Sequence, residues 1–105
     1  LLFGLLLIIQ QQASAQITFC GSKSYPALSF STETKEKLEA DAENAKSVYL
    51  KDITSADALI WYGRRLAYLG KYDEAIAVYT KGLEQHPNDA RLYRHRGHRY
   101  LTTRC

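Results

Sequence analysis

The chain contains no methionine and only two cysteines, Cys20 and Cys105, at opposite ends of its 105 residues. Two thiols so placed do not define a disulfide framework, and nothing in the expected fold depends on a bridge. No apolar run is long enough to cross a bilayer as a helix, which takes about 20 residues; the first run, Leu1 to Ile9, stops well short of that. Strand signals are missing as well. No segment alternates apolar and polar residues with period two over a useful length, and no β-branched cluster marks a strand, so the expected class is all-α. The net charge of +3 is too small an excess to point to nucleic acid by itself. There is no Ser-His-Asp or Cys-His set in a nucleophile context, no phosphate-cradling glycine loop and no carboxylate pair in an expected pocket. The visible sequence is therefore not expected to be an enzyme, and no cofactor is implied.

What is present begins with LLFGLLLIIQQQASAQ. An apolar stretch of this length suits the h-region of a secretory signal, and Ala13-Ser14-Ala15 fits a cleavage site before Gln16, so residues 1–15 are read as a signal peptide. Its positively charged start is missing along with the methionine, and the natural chain is expected to begin further upstream. Lipidation of Cys20 fits poorly, because Ile17 and Phe19 stand where a lipobox prefers a leucine and a small residue. The expected location is outside the cytoplasm, periplasmic or secreted, with no stable membrane span once the signal is removed. Export would place both thiols in an oxidising compartment. Residues 16–33 mix Gly, Ser, Thr and Pro with scattered aromatics and read as a linker.

From Thr34 the pattern becomes helical. Leu38, Ala42, Ala45, Val48 and Tyr49 recur at spacings of three and four, which predicts a helix over residues 34–51 with Ser31, Thr32 or Thr34 as its cap. Ser55 caps a second helix, with Asp57 in its first turn and Leu59, Tyr62, Gly63, Leu66 and Leu69 along one side; Gly70 supplies the left-handed stop. A third helix runs from Tyr72 or Asp73 to Gln85 with Ala75, Ile76, Tyr79 and Leu83 on its apolar face, and His86-Pro87-Asn88-Asp89 ends it. A fourth begins at Asp89 or Ala90.

Residues 56–89, ADALIWYGRRLAYLGKYDEAIAVYTKGLEQHPND, form a 34-residue unit of two helices closed by a proline. The unit resembles a tetratricopeptide repeat, which has that period. Gly63, Gly70, Tyr72, Ala75, Tyr79 and Pro87 fall where that family places its first-helix glycine, turn glycine, aromatic, alanine, second aromatic and closing proline. Leu59, Leu66 and Gly82 depart from the common tryptophan, tyrosine and alanine, the last at about 1 kcal/mol in helix propensity. Adding 34 maps Leu59 to Tyr93, Gly63 to Gly97 and Leu66 to Tyr100, so residues 90–105 read as the first helix of a second, truncated repeat, with Arg96 in place of a usual leucine. The resemblance implies an α-solenoid of antiparallel helix pairs, one full repeat and one further first helix; residues 34–51 carry no repeat fingerprint and are expected to form an N-terminal capping helix, the alternative being the worn second helix of an earlier repeat. Tyr93, Gly97, Tyr100 and Leu101 are expected to face residues beyond Cys105, which would make the sequence a fragment.

In this family the first helices line a concave groove and present their second, fifth and ninth positions to a ligand. Carried over, that gives Asp57, Ile60 and Arg64 from the first repeat and Arg91, Arg94 and His98 from the second, with Tyr68 and Trp61 at the edge. Arg64, Arg94 and His98 would make the groove positive, and arginine suits planar recognition of carboxylate. The implied function is a protein–protein interaction scaffold that takes an acidic or carboxylate-bearing partner segment. The alternative is the repeat region of a larger exported enzyme whose catalytic domain follows residue 105. On a helical wheel with Tyr93 at zero, His95 and Arg99 lie towards the back. Metal binding by His95 and His98 is not expected, since two ligands are too few. Nucleic acid is not an expected partner either, because an exported protein rarely meets it and the tyrosines are needed for packing. The oligomeric state stays open.

Overall fold

The computed structural model describes residues 16–19, 23–26 and 28–103. The proposed signal segment, both cysteines and Arg104 lie outside these residues. Four helices follow a short hairpin: α1 (Thr32–Lys51), α2 (Ala56–Tyr68), α3 (Tyr72–Gln85) and α4 (Ala90–Thr103). The hairpin pairs β1 (Gln16–Phe19) with β2 (Lys23–Pro26) in antiparallel register, Gln16 opposite Pro26 and Phe19 opposite Lys23. Residues 16–33, expected to be a linker, thus include two strands. Each is four residues long, too short for alternation to declare itself, although Ile, Thr and Phe in the first have high strand propensity.

The helix boundaries follow from capping chemistry. Ser31 caps α1, its hydroxyl accepting the Thr34 N–H at 3.2 Å, so the helix begins two residues before Thr34. Ser55 does the same for α2, accepting from the Ala58 N–H at 3.1 Å. Gly70 has φ of 78°, the left-handed value expected at the end of α2. Its N–H donates to the Ala67 carbonyl at 2.9 Å, and the Lys71 N–H reaches the Leu66 carbonyl at 3.0 Å. These two bonds satisfy carbonyls that the helix end would leave orphaned. At α4, the Asp89 carboxylate accepts from the Arg91 N–H at 2.9 Å and fills the first-turn vacancy in the same way.

Packing is sequential: α1 lies on α2, α2 on α3 and α3 on α4, with a lighter contact between α2 and α4. The core joins Tyr49 of α1, Leu59, Ile60, Leu66 and Ala67 of α2, Ala75, Tyr79 and Leu83 of α3, and Leu92 of α4. Full burial of such an apolar side chain contributes roughly 1.5–3 kcal/mol, so these contacts outweigh any single cap. Gly63 lets α2 and α3 cross closely, since a Cβ there would stand 2.3 Å from the Tyr79 ring. Gly82 serves a similar purpose beyond its propensity penalty: a Cβ would stand 2.6 Å from Leu59 and 3.2 Å from Leu92.

Leu92 was not singled out from the sequence, yet it is fully buried and seats α4 on the preceding helices. Tyr93, Tyr100 and Leu101 are exposed, Leu101 by 76%, and the space over Gly97 is open among the described residues. The helix therefore has two apolar faces, one against α2 and α3 and one turned outwards. Arg96 lies between the tyrosines of the outer face, 5.7 Å from each ring centroid, and donates to the Thr80 hydroxyl at 3.3 Å.

Candidate functional site

Between α2 and α4, over the end of the Tyr79 ring, lies a cavity of about 200 Å³ lined by Arg64, Ala67, Tyr68, Tyr79, His95, His98 and Arg99. Arg64 donates to the Tyr68 hydroxyl at 2.9 Å, and its guanidinium stands 4.4 Å from the centre of the Trp61 ring. These contacts hold a long, flexible side chain at the cavity wall. Arg99 is held from the other side, 5.5 Å over Tyr72. The His95 ring stacks on Tyr79 with centroids 5.8 Å apart.

The electrostatics are one-sided. Ion pairs among the described residues involve Arg65 and Arg91 but not Arg64, Arg94 or Arg99. Burial, followed by the positive charges of Arg64, Arg94, His98 and Arg99, holds the His95 imidazole below its ordinary range. Burial likewise pushes the Tyr79 hydroxyl up to about 12, against the pull of Arg99 and Arg64. Two guanidinium groups beside a partly dry aromatic floor can offer several N–H donors to an anion, and among the described residues no carboxylate pairs with either.

Three of the seven residues anticipated from the sequence meet here: Arg64, Tyr68 and His98. Asp57 and Arg91, the same position in successive repeats, instead bond each other, and Arg91 also holds Asp89 at 2.9 Å. The Arg91 contact draws the Asp89 carboxyl down to about 2. Ile60 is 6% exposed and belongs to the core, where it is buried more fully than its place in the repeat suggested. Arg94 is exposed and does not line the cavity.

His95 and Arg99, expected towards the back of the helix, line the cavity instead. The wheel was centred on Tyr93, but Leu92 is the residue that faces the core. At 100° per residue that rotates His95 and Arg99 towards α2 and α3. The available signal was an apolar Leu92 three and seven residues before His95 and Arg99, spacings that share a helix face. Among the described residues no group of three or more His, Cys, Asp or Glu side chains could hold a metal ion. No helix among them is long and apolar enough to cross a membrane.

An antiparallel helix pair followed by a third helix in the same relation defines a helical-repeat protein. The family model described as TPR repeat matches residues 63–103, which run from the glycine at the first crossing to the end of α4, and the chain thus carries a tetratricopeptide repeat. No curated protein and no solved structure matches the chain. Repeats of this family are protein–protein interaction modules, typically without catalytic activity of their own.

Proposed function

We propose that the chain binds a protein partner through the cavity between α2 and α4, and that the partner presents a carboxylate there, from an acidic side chain or a C-terminus. The observation that carries this reading is the pairing of Arg64 and Arg99 across the cavity with no carboxylate on either among the described residues. Tyr68 and His98 add a hydroxyl and an imidazole at the rim. The groove offers binding and orientation rather than bond chemistry, in keeping with an interaction scaffold. The apolar run before Ala13-Ser14-Ala15 supports a setting outside the cytoplasm, where a protein or peptide ligand is the expected partner and nucleic acid is not.

The test is a peptide array in which each acidic sequence appears with a free C-terminus and as its amide, and with Glu or Gln within it. Binding by the wild-type chain should require the negative charge. It should fall at least tenfold in an Arg64→Glu, Arg99→Glu double variant and fall less in Arg94→Glu, whose side chain does not line the cavity. Undiminished binding of the amidated Gln peptides, which carry neither carboxylate, or equal sensitivity to Arg94→Glu, would overturn the proposal.

A further inference from the structure

A second cavity, of about 270 Å³, opens between α1 and α2. Ala45 and Val48 of α1 and Ala58 and Trp61 of α2 form its apolar walls. Val48 is 49% exposed and Trp61 46%, although a helix-pair junction ordinarily buries such residues. A dry cavity of about 150 Å³ holds a benzene ring, so this space accommodates one aromatic or branched aliphatic side chain. Asp41, at the rim, is already matched: Lys37 donates to it at 2.9 Å and Arg65 stands 3.7 Å away. Its charge is thus locally compensated and does not repel an acidic chain strongly.

Arg64 joins the two cavities. Its guanidinium lies over the Trp61 ring and also lines the wall of the α2–α4 cavity. Resting on the groove reading above, we infer that the α1–α2 cleft is an apolar subsite of the same interface, and that it takes a large apolar side chain lying a few residues from the partner's carboxylate. Charge complementarity selects this occupant. An apolar group entering beside Trp61 brings its neighbouring residues under Arg64, and an acidic neighbour is the one that answers an arginine lacking a carboxylate. An extended segment advances about 3.3 Å per residue, so a spacing of one to four residues samples the approach between the sites. The cleft also extends recognition to α1, which lies outside the matched repeat.

Trp61 is the only tryptophan in the chain, so its emission reports on the cleft directly. The experiment titrates the full chain with four sets of C-terminally amidated, fluorescein-labelled hexapeptides, Leu with Glu, Ser with Glu, Leu with Gln and Ser with Gln, the paired residues separated by one to four positions. Anisotropy gives affinity, and unlabelled peptides give the Trp61 emission shift. The expected result is about tenfold tighter binding of the best Leu-Glu peptide than of its Ser-Glu counterpart, with a blue shift of Trp61. Val48→Gln should remove that advantage while leaving Ser-Glu affinity unchanged; Val48→Ser is the second variant, and circular dichroism checks that each is folded. If Ser-Glu and Leu-Glu peptides bind equally and both depend on Arg64, the groove stands and the subsite falls. If Leu-Gln binds as well as Leu-Glu, or no acidic peptide binds, both fall.

Discussion

At the scale of single residues, the three helical glycines among the described residues are chemically identical and physically different. A methyl group at Gly63 would collide with the ring of Tyr79, which is buried and cannot swing aside. At Gly82 it would meet the ends of Leu59 and Leu92, which can rotate, and the gain in helix propensity offsets part of the strain. At Gly97 it would meet nothing. Chemical denaturation should therefore rank the alanine variants: Gly63→Ala loses about 2 kcal/mol or more from overpacking, Gly82→Ala loses less, and Gly97→Ala gains about 0.5–1 kcal/mol. A loss at Gly97 as large as at Gly63 would mean that its space is filled.

At the scale of elements, caps and ladders fix where helices start and stop, while their faces decide what they hold. Ser55 starts α2 through one side-chain bond, and Gly70 ends it in a conformation that alanine adopts only with strain. Ser55→Ala should lower stability by about 1 kcal/mol, and Gly70→Ala by a comparable amount; thermal unfolding of the two variants checks both. Most of this level was legible in the sequence, because capping and the left-handed stop depend on nearest neighbours in the chain. The hairpin at residues 16–26 was not, since strands of four residues carry too little pattern. Nor was the rotation of α4: one residue, Leu92 rather than Tyr93, sets which side faces the core, and a first helix in this architecture packs on two sides.

At the scale of the molecule, the field of the groove couples binding, pH and stability. His95 stacks on Tyr79, and burial, followed by the surrounding positive charges, disfavours its protonation. The unfolded chain takes up that proton more readily, so stability is fully present above the unfolded imidazole value near 6.5 and declines as pH falls below it. The melting temperature should drop between pH 7.5 and pH 5.5, and by less in His95→Gln. A bound acidic peptide should also reduce the drop, because its negative charge restores the imidazolium's partner.

The sequence by itself determined the period of 34, the caps, the turn glycine and the apolar stripes, and with them the class of fold, since each of these acts within one turn or one helix. It also singled out Arg64, Tyr68 and His98, which line the α2–α4 cavity. Only the tertiary structure decided which charges remain available. Asp57 and Arg91 are 34 residues apart and cancel each other across two helices, Ile60 disappears beneath its neighbours, and His95 and Arg99 turn inwards to meet Arg64. The physical reason is that a side chain's helical position fixes its direction relative to its own axis, whereas its partners depend on how neighbouring helices are rotated. That rotation is set by the joint burial of Leu59, Tyr79 and Leu92, a property of the assembled core and of no single segment.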